Sequence, residues 1–206
     1  MIIKKLIDIC KKSATIILYD TENEQWLSDG NCIFPLYNLP MFDENTLCKT
    51  YDITDKQQEK IYFKRETELP ENLNITEYIN GEVPCQQGPI KITAGGNGLI
   101  SYMTSQGIVF INEKYLSPIG DINDDTTEMY ERYTTDGKMY FAVGSGFVLI
   151  GLIMPYDCID QKFIDNLSTL YQQCKIALYN KRKNEPAEDA MDSYLMTTPG
   201  EGEEKE

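Results

Sequence analysis

The chain has 206 residues, 41% hydrophobic and 11% aromatic, with 33 acidic against 19 basic side chains, a formal net charge of -14 and no histidine. Without imidazole there is no Ser-His or Cys-His nucleophile, no histidine general base and no histidine-containing zinc or di-iron site, which excludes most familiar hydrolases. Half of the net charge falls between Glu185 and Glu206, so the acidic body argues against a general nucleic-acid coat while leaving room for a local basic face.

Residues 2–12 predict an amphipathic helix, with Ile2, Ile3, Leu6, Ile7 and Cys10 sharing one face at helical spacing. Lys4, Lys5, Asp8, Lys11 and Lys12 then fall on the opposite face, as a solvated surface or as a set of phosphate contacts. These charges interrupt any signal-peptide core, and no run reaches the roughly 18 to 20 apolar residues of a membrane span. Six cysteines with no pair closer than sixteen positions rule out CxxC and zinc-knuckle spacing and read as buried hydrophobes in a reducing compartment. A cytoplasmic protein that binds no membrane is expected.

Strands are predicted at 14–19, 25–27 and 32–36, a short meander with Trp26 as a packing anchor. Asp43 caps a short helix to about Tyr51, and 61–67 has strand character. The Pro- and Gly-rich stretch 68–89 reads as an ordered surface connection between half-domains 1–68 and 90–155, pinned by Leu73, Ile75, Tyr78 and Ile79. From Ile90 the pattern is strand, a Gly95-Gly96-Asn97-Gly98 turn, a strand to Thr104, a strand 107–111 and a helix 112–119. Segments 128–133 and 138–143 flank Thr134-Thr135-Asp136-Gly137, a strong hairpin signal, and the run 147–154, apolar on both faces, predicts a central strand.

A helix over 160–181 carries Phe163, Leu167, Leu170, Tyr171 and Leu178 as one stripe, which serves either packing on the sheet or the seam of a homo-oligomer. Residues 185–206 read as an acidic, partly disordered tail in which Met191, Tyr194 and Leu195 form one face of a short partner-binding helix. The tail acids could also compete with nucleic acid for the lysine face. The whole is expected to be a single α+β domain over 1–180, mainly antiparallel sheet with a few packed helices.

No constellation for catalysis emerges. Neither Gly95–Gly98 nor Gly144-Ser145-Gly146 continues into a phosphate-loop motif, and each precedes a strand where anion binding favours a helix N-terminus. Asp121, Asn123 and Asp125 begin like a calcium loop, but Thr126 replaces the glycine and Arg132 occupies the glutamate position. Ser28 and Ser145 lack the nucleophile-elbow context. No catalytic residue, cofactor or metal is expected.

The segment Ile111-Asn112-Glu113-Lys114-Tyr115-Leu116, followed about forty residues later by Leu152-Ile153-Met154-Pro155, resembles the closing half-domain of the bacterial DNA polymerase sliding clamp. The likeness covers roughly residues 90–155. It implies an internally duplicated fold with basic helices facing duplex DNA, a role that would fall to Lys4, Lys5, Lys11, Lys12 and, more weakly, Lys114. The chain departs from that family in adding a helix and an acidic segment after Met-Pro, and in having length for one such domain where the bacterial clamp has three. The Gln25–Gly30 region resembles small uncharacterised proteins of phages and prophages of Gram-positive bacteria. These readings converge on a non-enzymatic phage-type interaction protein with a protein partner, a clamp-like accessory of DNA replication touching duplex DNA through the lysine-faced helix. The alternative is an acidic inhibitor, or DNA mimic, that blocks a host nucleic-acid-binding protein; a histidine-free enzyme of unrecognised type is the third reading.

Overall fold

In the computed structural model, which describes residues 2–22, 24–77, 79–120 and 126–184, the N-terminal amphipathic pattern folds as helix α1, Ile3–Ser13. Its Leu6, Ile7, Ile9 and Cys10 are buried, each apolar side chain stabilising by about 1.5–3 kcal/mol. The helix stops at Ala14, which adopts a left-handed conformation with its N–H returned to the carbonyls of Cys10 and Lys11.

Strands β1 (Thr15–Asp20), β2 (Gln25–Ser28) and β3 (Cys32–Pro35) follow as an antiparallel meander. Helix α2 (Glu44–Thr50), capped reciprocally by Asp43 and Thr46, and a one-turn helix α3 (Asp55–Gln58), not foreseen from the sequence, lead to β4 (Tyr62–Glu66). β4 lies parallel to β1 at the sheet edge. The next three strands, β5 (Gln86–Ala94), β6 (Asn97–Thr104) and β7 (Gly107–Asn112), make their own antiparallel sheet. After a 3-10 turn at Glu113–Leu116, strands β8 (Thr127–Tyr133), β9 (Met139–Ser145) and β10 (Val148–Ile153) return to the first sheet.

Among the described residues that sheet has seven strands in the order β4-β1-β2-β3-β10-β9-β8. Its two antiparallel meanders, β1-β2-β3 and β8-β9-β10, meet where Leu152 and Ile153 pair with Ile33 and Cys32. Each meander follows a helical segment, α1 in one half and the 3-10 turn in the other. The fold is α+β, and β10 lies in the sheet interior as its two-sided apolar pattern predicts.

Alternation along the strands divides the core between two faces. Ile16, Leu18, Leu27, Phe34, Phe141, Val143 and Ile153 point to the face covered by α1, α2 and the small sheet, whose Ile100, Tyr102 and Ile111 join the same cluster. Trp26, Ile33, Tyr140, Ala142 and Leu152 point the other way, where Leu69 and Leu73 of the long connection cover them. The small sheet is joined to the large one at two corners: the Cys85 N–H donates to the Met129 carbonyl (2.7 Å) and the Tyr156 N–H to the Phe110 carbonyl (2.7 Å).

Polar contacts hold the long connection more than the expected hydrophobic ones do. Leu73 packs inward, but Ile75 is exposed, and Tyr78 lies outside the described residues. The Asn74 N–H donates to the Tyr140 hydroxyl (2.8 Å), which donates back to the Asn74 carbonyl (3.1 Å). Arg132, 4% exposed, grips Glu82 in a bidentate pair through Nε and Nη2 (2.7 and 2.9 Å) and donates from Nη1 to the carbonyls of Asn74 and Thr76.

Two boundaries differ from expectation. β5 starts at Gln86 rather than Ile90, and the helix expected over 112–119 is a single 3-10 turn. It stops there because Pro118 has no N–H for a further turn and Gly120 takes a positive φ of 103°. The first compact unit closes at Asp157. Beyond it, described by itself, lies helix α4, Gln161–Asn184, capped by the Asp160 carboxylate, which accepts from the Phe163 N–H (2.7 Å). No described helix is long and apolar enough to cross a membrane.

Candidate nucleic-acid interface

Helical geometry separates the lysines of α1 into two pairs. Residues seven apart return to nearly the same azimuth, so Lys5 and Lys12 share one flank while Lys4 and Lys11 lie about 100° round the axis. The Lys11 ammonium donates to the Tyr51 carbonyl (2.8 Å) at the end of α2 and approaches Asp8 (4.0 Å), with its side chain largely covered. Lys4 is exposed and lines no cavity with the others. Lys5 and Lys12 are exposed and make no ion pair among the described residues.

Their flank forms one wall of an open groove of about 560 Å³. The opposite wall is the 3-10 segment, with Asn112, Glu113, Lys114 and Ser117, and the Gly96-Asn97-Gly98 hairpin closes one end. The two walls are tied directly, since the Ile2 N–H donates to the Pro118 carbonyl (2.7 Å). Asn112 holds the corner: its Oδ1 accepts from the Lys114 N–H (3.1 Å) and its Nδ2 donates to Asn97 Oδ1 (3.0 Å). The glycines serve as a hairpin turn, as expected, with φ of 57° at Gly95 and 80° at Gly96; the turn itself lines the groove.

Lys114 is placed by a buried carboxylate. Asp29, with its side chain fully covered, accepts from the N–H groups of Asn31 (2.9 Å) and Cys32 (3.2 Å) and from the Tyr115 hydroxyl (3.0 Å). The Lys114 ammonium lies 3.7 Å from the same carboxylate and 4.6 Å above the Tyr115 ring. This cluster fixes the 3-10 segment to the β2–β3 turn. Burial, then the Asp29 charge, pushes the Tyr115 hydroxyl and the neighbouring Cys10 and Cys32 thiols well above their ordinary pKa values, so these thiols stay protonated.

The rim therefore carries three cations, Lys5, Lys12 and Lys114, against the carboxylates of Asp8 and Glu113, with Asp29 buried beside Lys114. Glu113 is itself engaged by Lys91 of β5 (3.3 Å). Asn97 and Asn112 also line the groove. Such a surface can accept an anion-bearing ligand along its length through its ammonium groups, with Ile9 adding an apolar patch to the lining. Among the described residues no three Cys, Asp or Glu side chains converge as a metal site.

Of the five sequence-selected lysines, the structure brings Lys5, Lys12 and Lys114 together and leaves Lys4 and Lys11 apart. Asn97, Asn112 and Asp29 were not selected, because their roles rest on contacts across 15 to 86 positions. Met191, Tyr194 and Leu195, like the acidic 121–125 loop and the 185–206 segment, lie outside the described residues. On α4, Leu167, Tyr171 and Leu178 form one row and Phe163 and Leu170 flank it. Compared with protein-family models, curated proteins and solved structures, the chain gives no significant match.

Proposed function

We propose that this chain is a non-enzymatic interaction protein that contacts duplex DNA through the groove between α1 and the 3-10 segment, in the manner of a clamp-like accessory of replication. The observation that carries the reading is the convergence of Lys5, Lys12 and Lys114 from two helical segments that occupy equivalent places before the two sheet meanders. One face of the molecule thus presents these cations together, although the body as a whole is acidic. Lysines along an open groove suit phosphate contact, which positions a protein on a duplex without reading its sequence. The surrounding negative charge would keep that contact weak and reversible.

The test is fluorescence anisotropy of a labelled duplex titrated with the full chain at several salt concentrations. Binding should weaken with salt, and in a Lys5→Glu, Lys12→Glu double variant it should be weaker and less dependent on salt. Lys4→Glu should change it far less. Lys114→Met is preferred to a charge reversal at that position, because Asp29 lies against the ammonium. Binding to a basic protein but not to DNA, insensitive to these lysines, would refute the proposal in favour of an acidic inhibitor.

A further inference from the structure

Most of the stability of a helix in a protein comes from packing of an apolar face, and the 24-residue α4 carries such a face exposed. Ile164, Leu167, Tyr171, Cys174 and Leu178 recur at alternating intervals of three and four, the spacing that keeps one seam turned to a partner helix. Ile164, Leu167, Tyr171 and Leu178 are 46–59% exposed. The ends of the helix differ in charge. Asp160 and Asp165 lie at the start, with Lys162 between them, whereas Lys175, Lys181, Arg182 and Lys183 crowd the far end.

We infer that α4 packs antiparallel against α4 of a second copy of this chain. Antiparallel pairing sets each basic end beside the acidic start of the other helix and opposes the two helix dipoles. Parallel pairing would bring the two basic ends together, so the charge pattern selects the orientation while the three-four row supplies the seam. Leu170, one position to the side and also exposed, widens the contact. The inference stands on α4 alone and is independent of the groove on the first unit.

Sedimentation equilibrium of the full chain over a range of concentrations tests it. The expected result is a concentration-dependent rise toward twice the 23.6 kDa chain mass. A Leu167→Asp, Tyr171→Asp variant should abolish the rise, with circular dichroism reporting whether helix content is kept. Lys181→Glu with Arg182→Glu, which leaves the seam intact, should weaken the dimer, and adding Asp165→Lys should restore it. A chain that stays monomeric, as it would if its own residues cover the α4 face, would overturn the proposal. So would a dimer indifferent to Leu167→Asp and Tyr171→Asp, or one strengthened by Lys181→Glu and Arg182→Glu.

Discussion

Gly151 lies where β10 passes the buried ring of Phe34, and a Cβ added there would overlap the ring edge. The constraint is steric, because both residues are held in paired central strands. Gly151→Ala should lower stability by about 1–3 kcal/mol. Chemical denaturation would show this as a lower midpoint with an unchanged slope; a wild-type midpoint would mean that the ring can move aside. Arg132 is the polar counterpart. Removing its guanidinium leaves the Glu82 carboxylate and the Thr76 carbonyl without their donor, and the Asn74 carbonyl with the Tyr140 hydroxyl alone, so Arg132→Met should cost about 3–5 kcal/mol. Pairing it with Glu82→Leu should recover much of the loss in the same assay. This role was illegible in the sequence, where Arg132 stood out only for breaking a calcium-loop pattern. Its partners lie 50 to 58 positions away, and local spacing carries no trace of them.

Turns were the most legible elements, because they demand a backbone that few residues adopt. Gly95, Gly96 and Gly137 take positive φ where hairpins were expected. The start of β5 was missed for a related reason: Gly88 and Pro89 read as loop, yet Gly88 is needed because the Ser101 side chain of β6 presses against it at a register shift. The β6–β7 hairpin is also tied to β8 by Glu131, which accepts hydrogen bonds from the Ser105 N–H (2.7 Å), the Ser105 hydroxyl and the Tyr133 hydroxyl. Partial burial alone would raise the Glu131 pKa, but these donors outweigh it and hold the carboxyl below its ordinary 4.5. Asp136 in the β8–β9 turn is lowered to about 2, first by Thr134 and then by Lys138. A depressed folded-state pKa adds stability that is complete above the unfolded value and is lost as pH falls through the folded one. Stability should therefore decline as pH drops from about 4.5 toward 2, and Ser105→Ala should flatten the upper part of that decline. An identical acid limb in Ser105→Ala, followed by denaturation at each pH, would show that Glu131 contributes nothing to it.

At the scale of the whole molecule, the two meanders and the lysine-faced helix were readable from periodicity. Their joining at β3 and β10, the small sheet's two corner bonds and the groove were not. The lysine face looked continuous in the sequence because position along a helix does not reveal what packs beside it. α2 takes Lys11, while the 3-10 segment faces Lys5 and Lys12. Three separated stretches, around residues 5–12, 96–98 and 112–117, meet only when the two halves share one sheet. The central claim is that this meeting point holds duplex DNA, and the salt dependence of duplex binding by the full chain tests it most directly. Three phosphate contacts predict that the logarithm of the binding constant falls against that of salt with a slope of about -2.7, reduced by about two in Lys5→Glu, Lys12→Glu. No duplex binding at low salt, or binding with the same slope in that variant, would contradict the account.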